Sequence, residues 1–264
     1  MGKKDLRRGS ILDALRTKPT VRASELADRF GVSIETVRRD MIDMSHQGLI
    51  DRTYGGAAIT SIASEPGVDV RAAVNRDGRQ RMAERAARMV INEEDDMVMI
   101  DAGSTTTIFA QVLAGAFNAS HGGILTVVTN SYGVARALGT NNLIRTIVCP
   151  GEFDLTEAAV FGSETQGFLS RFRSTSAVIS AGGLTVEGAT DADSRACWIK
   201  RTMRQRSNRV ILLADHVKFE RPFMETALPL DDIDWLITDV RPASGLSLAL
   251  RKAYVEVEVA RERG

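Results

Sequence analysis

Two cysteines in 264 residues, Cys149 and Cys197, supply neither a disulfide framework nor a metal-ligand spacing. Both lie among apolar neighbours and read as inert, reduced thiols. Only 5% of the chain is aromatic, only 6 residues are proline, and an excess of one charge is missing, since 34 Lys plus Arg meet 34 Asp plus Glu. Hydrophobic residues make up 44%, enough to bury a sizeable core, so disorder and collagen-like structure are excluded. No apolar run reaches the roughly 18 residues of a membrane span. The start MGKKDLRRGS lacks the apolar block of a secretory signal, and we expect a cytoplasmic protein with no membrane partner. No fixed-period repeat is present, which argues against a solenoid. The length suits two domains or one large one.

The neutral total hides an asymmetry. Residues 1–60 hold 11 Lys or Arg and 8 acids, a balance of +3 that the remaining residues offset with −3. A basic end points weakly toward a polyanion, and a solvated surface explains it equally well. Within it, apolar residues at near-helical spacing (Leu6, Ile11, Leu12, Leu15) end at Lys18-Pro19, because the residue before proline avoids the α region. A second helix follows, with Ser24 as its expected cap and Leu26, Ala27 and Phe30 on its inner side. Gly31 then supplies a left-handed turn. Ser33 caps a third helix, where Val37, Met41 and Met44 recur at i, i+4 and i+7 and leave Glu35, Thr36, Arg38 and Arg39 on other faces. Leu49–Thr53 and Ala58–Thr60 flank a Tyr54-Gly55-Gly56-Ala57 turn and read as a hairpin wing.

We place a winged helix-turn-helix at 1–60, a linker rich in Pro, Gly and Asp at 61–77 with room for a short helix, and a second domain at 78–264. In that second domain helical patterns near 79–91, 105–113, 132–138, 164–171 and 193–206 alternate with apolar runs near 97–100, 126–129, 144–148, 177–180, 210–213 and 235–237. A last strand is expected at 254–260. Such alternation predicts an α/β fold with a mainly parallel sheet covered by helices.

Two constellations carry chemistry. The helix-turn-helix spacing presents a helix that fits a major groove about 12 Å wide. There Arg38 and Arg39 are suited to guanine edges or phosphate, and Ser33 and Thr36 add hydrogen bonds at the helix start. The second is Asp101-Ala102-Gly103-Ser104-Thr105-Thr106-Thr107, a strand end followed by a helix start. Its hydroxyls and backbone N–H groups converge where an anion is favoured. The segment is not GxxxxGK[ST], so nucleoside triphosphates are not indicated. A capped helix start without a ligand has the same appearance. Thr129-Asn130, Gly151-Glu152, Gly182-Gly183 and Asp215-His216-Val217-Lys218 also follow apolar strands, where open parallel sheets bind ligands. Lys218 and Lys200 are candidate cations for a phosphate, although such lysines are also common on solvated surfaces. His46, His121 and His216 share no metal-ligand spacing, and His216 is placed to hydrogen-bond a hydroxyl. No metal and no cofactor is expected.

ELADRFGVSIETVRRDM followed by GLIDRTYGGA resembles the signature of the DeoR family of bacterial transcriptional regulators. The resemblance implies that Arg38 and Arg39 are the recognition pair and that Arg52 and Tyr54 belong to the wing. DAGSTT at 101–106, VVTNS at 127–131, Gly162, WIKRTM around Lys200, LLADHVKF at 212–219 and ITD at 237–239 resemble that family's sensor domain, which is related in fold to ribose-5-phosphate isomerase. The resemblance implies that Ser104, Thr105 and Thr106 form a phosphate loop and that Lys218 contacts the phosphate; with the strand ends above, the expected ligand site is Asp101, Gly103, Ser104, Thr105, Thr106, Thr129, Asn130, Gly151, Lys200, Asp215 and Lys218. The isomerases carry an Asp-Gly-Ala-Asp-Glu stretch where this chain has Ser180-Ala181-Gly182-Gly183-Leu184. No carboxylate stands there, so general acid–base turnover is not expected.

The reading is a DNA-binding regulator, a repressor of a carbohydrate or polyol operon, acting as a homo-oligomer on operator DNA and controlled by a phosphorylated sugar or polyol. Two other readings compete with it. One is a sugar-phosphate isomerase-like enzyme with a DNA-binding appendage, and the other a nucleic-acid-binding protein whose α/β domain only oligomerises.

Overall fold

The computed structural model describes residues 7, 8, 10, 11, 14, 20–46, 50–53, 56–59, 65, 67–92, 95–121 and 123–260, and only the backbone of 20, 46, 51–53 and 57–59. The chain folds as two units, Met1–Val74 and Asn75–Gly264.

In the first unit β1 (Thr20–Arg22) leads directly into α1 (Ala23–Phe30), and Gly31 at φ +63° turns the chain into α2 (Ile34–His46). The helix α1 starts one residue before the expected Ser24 cap. Val21 and Arg22 are pinned as a strand, so the extended Arg22 becomes the last non-helical residue, and the Glu25 carboxylate accepts its N–H at 3.5 Å. Ser33 caps α2 as expected, its Oγ accepting the Thr36 N–H at 3.2 Å. Ile11, Ala14, Leu26, Val37, Met41, Met44 and Ile50 form one buried core. The wing strands β2 (Ile50–Thr53) and β3 (Gly56–Ile59) pair antiparallel, and β1 adds to the far side of β3. Gly56 permits that addition. A Cβ there would lie 2.0 Å from the Val21 carbonyl oxygen, closer than any side chain tolerates.

The first unit also holds α3 (Val68–Ala72), inside the segment read as a linker. The second unit begins with α4 (Arg76–Asn92), longer than the expected helix by three residues at its start. It continues with β4 (Met97–Ile100), α5 (Ser104–Ala116), β5 (Leu125–Thr129), α6 (Tyr132–Leu138) and β6 (Ile144–Val148). A hairpin of β7 (Glu152–Asp154) and β8 (Ala159–Phe161) precedes α7 (Ser163–Leu169) and β9 (Ser174–Ser180). The rest comprises β10 (Gly183–Thr185), β11 (Gly188–Asp191), α8 (Ser194–Arg206), β12 (Ser207–Leu213), β13 (Glu225–Pro229), β14 (Trp235–Thr238), α9 (Ser244–Lys252) and β15 (Glu256–Val259).

Seven of these strands form one sheet in the order β15-β14-β12-β9-β4-β5-β6, and every neighbouring pair is parallel. The alternation of side chains along each strand divides the core. Val98, Ile100, Val127, Val178, Ile211 and Ile237 face α4, α5 and α6, whereas Met99, Val128, Ala177, Ile179, Leu212 and Leu236 face α7, α8 and α9. Burial on both faces is why these strands read as continuous apolar runs. From β4 the chain steps outward to β5 and β6, then returns to the other side of β4 through β9. The β4–β9 pair is therefore the topological switch point, where the loops after the strands leave in opposite directions, the place at which open parallel sheets bind ligands. A small antiparallel sheet, β10-β11-β13, begins just after β9. Cys149 and Cys197 are free and buried, and burial pushes both thiols up to about 12. Among the described residues no helix is long and apolar enough to cross a membrane.

Candidate functional site

On the first unit, α2 turns Val37, Met41 and Met44 inward and leaves Arg38 and Arg39 exposed. Arg38 comes no nearer than 4.0 Å to Glu35, and both side chains are more than half exposed, so that pairing does little to restrain it. The Ser33 and Thr36 hydroxyls lie 2.8 Å apart and bond each other at the helix start. Arg52 lies on β2, and its side chain is outside the described residues, as is the whole of Tyr54. Asp40, which follows the two arginines, is buried and accepts from Arg7, and Arg8 reaches both Asp40 and Asp43. It braces the helix from inside. Its place beside Met41 on the apolar stripe was the available signal.

In the second unit the residues around the β4–β9 switch point come from the ends of β4, β5, β9, β12 and β14. Asp101 directly follows β4, and its Oδ1 accepts the Ser180 N–H at 3.1 Å. Its Oδ2 lies 3.1 Å from Lys200 Nζ, and Lys200 lies 3.1 Å from Asp191 Oδ2 on its other side. Lys200 is 3% exposed and so is enclosed between two carboxylates rather than directed at solvent. Burial pushes the Asp101 carboxyl up to about 6 against the opposing pull of Lys200. Burial also works against the Lys200 charge, yet Asp191 and Asp101 hold its pKa above the ordinary lysine value.

Gly103 precedes α5, and Ser104, Thr105 and Thr106 form its buried first turn. The Thr106 and Thr107 hydroxyls both donate to the Gly103 carbonyl, at 3.1 and 2.8 Å. Ser104 Oγ instead accepts from Arg79, whose NH1 lies 3.0 Å away. Arg79, on α4, is 1% exposed, and its Nε donates to Asp215 Oδ2 at 2.8 Å. Arg79 thus ties the loop after β4 to the loop after β12. Sequence reasoning missed it, although it stands three and four residues before Met82 and Ala83 on the buried stripe of α4, where a charge is conspicuous.

Asp215 also accepts from Asn75 Nδ2 at 3.1 Å, and the same amide donates to Asp239 Oδ2 at 2.8 Å. Asp239 takes the His216 backbone N–H at 2.8 Å and faces its Nδ1 at 2.7 Å. That bond raises the His216 pKa. Burial opposes the Asp239 charge, but bonds from His216 and Asn75 hold its carboxyl well below the usual range. Lys218 is buried in the short turn after Asp215, its N–H bonded to the Asp215 carbonyl at 2.9 Å.

After β5, Thr129 Oγ1 accepts the Ser131 N–H at 3.0 Å and Asn130 Nδ2 donates to the Val160 carbonyl at 3.1 Å. Asn130 Oδ1 and Asp215 Oδ1 are both buried with no hydrogen-bond partner among the described residues. Gly151 packs against Thr165 and the Phe161 carbonyl. The structure thus holds two separate networks at these strand ends, Ser104–Arg79–Asp215–Asn75–Asp239 and Ser180–Asp101–Lys200–Asp191, while Gly151 packs under the β7–β8 hairpin.

Two family domains match the sequence: the DeoR-like helix-turn-helix domain over residues 7–63 and the DeoR C terminal sensor domain over residues 74–240. The glycerol-3-phosphate regulon repressor of Escherichia coli (strain K12) is 28% identical over 258 residues, covering 97% of this chain and 99% of that protein. The HTH-type transcriptional regulator IolR of Bacillus subtilis (strain 168) is 31% identical over 222 residues, covering 83% and 84%. Among solved structures, ribose 5-phosphate isomerase A from Methanocaldococcus jannaschii aligns over 56% of each chain with 18% identity and a TM-score of 0.38. The chain belongs to the DeoR family of DNA-binding transcriptional regulators, with a helix-turn-helix unit followed by a sensor domain.

Proposed function

We propose that this regulator is a repressor whose sensor domain binds a phosphate monoester of a sugar or polyol, does not convert it, and releases operator DNA in response. The observation that carries the reading is the pairing of two kinds of group at one sheet edge. Ser104, Thr105 and Thr106 offer the positive end of a 13-residue helix, with Lys218 on a neighbouring loop as the cation. Asn130 Oδ1 and Asp215 Oδ1 are buried acceptors without donors, which suits them to the hydroxyls of a polyol. One end of the ligand is then a dianion and the other a chain of hydroxyls. The name of the E. coli relative, a glycerol-3-phosphate regulon repressor, supports the same class.

Binding without turnover is supported by what occupies the nearby acids. Asp191 and Asp101 share Lys200, Asp193 caps α8 and pairs with Arg195, and Glu187 stands in an exposed turn. A proton shuttle requires a carboxylate within reach of a substrate carbon and free to exchange its proton. Asp101, Asp191 and Asp193 are held by Lys200 and Arg195, and Glu187 is left as the acid the test must exclude. On the DNA side, Arg38 and Arg39 read the operator, with Ser33, Thr36, Arg52 and Tyr54 as further DNA contacts, and a homo-oligomer presents two such helices to paired half-sites.

The test is a panel of glycerol 3-phosphate, ribose 5-phosphate and fructose phosphates, each scored for thermal stabilisation and, by NMR, for product or proton exchange at C2. Stabilisation without exchange is expected. Exchange well above buffer that disappears in Glu187→Gln or Asp191→Asn would establish the enzyme instead, and a panel that stabilises nothing would remove the effector class.

A further inference from the structure

Asn75 combines three unusual features. It is the first residue of the second unit, it holds φ +48°, and its amide is shared between two carboxylates, Asp215 and Asp239. Asparagine tolerates a left-handed backbone better than other side chains do, and here its amide is held on two carboxylates besides. Here Gly78 makes room for the fixing group. A Cβ at position 78 would lie 2.6 Å from Asn75 Oδ1 and 2.8 Å from both Asn75 Nδ2 and Asp239 Oδ2. The first turn of α4 is therefore cut away so that this amide can reach its carboxylates.

The amide is also one bond removed from the effector loop. Asp215 Oδ2 accepts both Asn75 Nδ2, at 3.1 Å, and Arg79 Nε, at 2.8 Å, while Arg79 NH1 donates to Ser104 Oγ at 3.0 Å. Ser104, Arg79, Asp215 and Asn75 thus form an unbroken chain of hydrogen bonds, and its first three members are at most 6% exposed. We propose that this chain is a relay through which occupancy of the Ser104 loop reaches the junction at Val74–Asn75. The relay rests on the effector reading above.

Its physical basis is competition for one guanidinium. A phosphate dianion on the Ser104 turn attracts Arg79, whose NH1 already touches that turn, and repels Asp215. As Arg79 turns to the dianion, Asp215 loses its charged partner, and a buried carboxylate cannot keep its position without one. Asn75 shares the same oxygen and rearranges with it, so the left-handed backbone at residue 75 loses the contact that fixes it. The covalent connection to the DNA-binding unit then differs between the empty and the occupied states, which is the differential that coupling requires. Arg79, Asp215 and Asn75 act here as positioning residues.

Asn75→Gly tests the relay because glycine tolerates the left-handed φ and removes only the amide. With glycerol 3-phosphate as the probe, the variant is expected to bind it within about threefold of the parent. Its operator affinity should change less than about twofold, where the parent changes at least about fivefold. A full operator response in Asn75→Gly would overturn the relay. If the probe leaves the parent's operator affinity unchanged, the effector reading fails for that ester. The relay is then decided by amide hydrogen exchange of the unliganded full chain. Folded Arg79→Lys, Asn75→Gly and the double variant should each exchange residues 74–79 at least about fivefold faster than the parent, and to the same extent, because they break one chain. Parent-like exchange in Arg79→Lys, or additive effects in the double variant, would overturn it.

Discussion

Lys200→Met removes a cation that is 3% exposed and lies 3.1 Å from each of two carboxylates, while keeping most of the side chain's volume. What remains is Asp101, 1% exposed, and Asp191, 12% exposed, facing a space from which their counter-charge has gone. Removing one partner of a buried ion pair costs about 3–5 kcal/mol. For a domain of this size each kcal/mol lowers Tm by roughly 2–4 °C, so a fall of about 6–20 °C is expected. The deficit must depend on pH. Burial already lifts Asp101 to about 6 with Lys200 in place, and without it the carboxyl is lifted further above the unfolded value. A group with a raised folded pKa contributes stability that is present below its unfolded pKa of about 4 and lost as pH rises through the folded value. Denaturant unfolding of the full-length variant and parent at pH 8 and pH 5 should therefore show the large deficit at pH 8 and a smaller one at pH 5. Adding Asp191→Asn should restore part of it. A loss below about 1 kcal/mol at pH 8, or the same loss at both pH values, would refute the enclosed-lysine argument.

Arg38→Ala and Arg39→Ala should each weaken operator binding by about 1–3 kcal/mol in gel-shift titrations at matched salt, with the melting temperature unchanged, and parent-like affinity in both would move recognition elsewhere. Gly56→Ala should force β3 away from the Val21 carbonyl and cost about 1–3 kcal/mol of stability in the first unit, read by unfolding and by operator affinity together. His216 has its pKa raised by Asp239, so the pair's contribution is fully present below about 6.5 and is lost as pH rises through the raised value. It is also lost as pH falls through the depressed Asp239 value. The imidazole side chain is 46% exposed, so His216→Ala should cost less than about 1 kcal/mol, most clearly near pH 5–6 and not at pH 9.

The parallel strands were legible because both their faces are buried, which leaves uninterrupted apolar runs such as Met97–Ile100 and Val210–Leu213. The helix-turn-helix was legible because Gly31, Ser33 and the Val37–Met41–Met44 stripe each have a local cause. The strands β1, β7, β8, β10, β11 and β13 were not. They run three to five residues without sustained alternation; β7–β8 and β10–β11 are short hairpins, and β1 and β13 are defined by partners distant in sequence. Nor was α9, a short Ser-Gly start after Pro242 that reads as a turn. The Ser104 loop announced itself as a strand end joined to a helix start. Arg79 and Asn75 did not, because their contacts with Asp215 span 136 and 140 residues. Lys200 was read as a phosphate cation, and only the fold reveals the Asp101 and Asp191 carboxylates that enclose it.

On the function proposed above, an ester bound at the Ser104 turn governs operator affinity. This is tested by fluorescence anisotropy of a labelled operator fragment, selected with the unliganded parent, titrated with the parent and with Ser104→Ala/Thr105→Ala in the presence and absence of glycerol 3-phosphate. The ester should weaken operator binding of the parent at least about fivefold and leave the double variant, which binds DNA as tightly as the unliganded parent, unaffected. A double variant that still responds like the parent, or a parent that responds neither to this ester nor to the ribose and fructose phosphates, would contradict it.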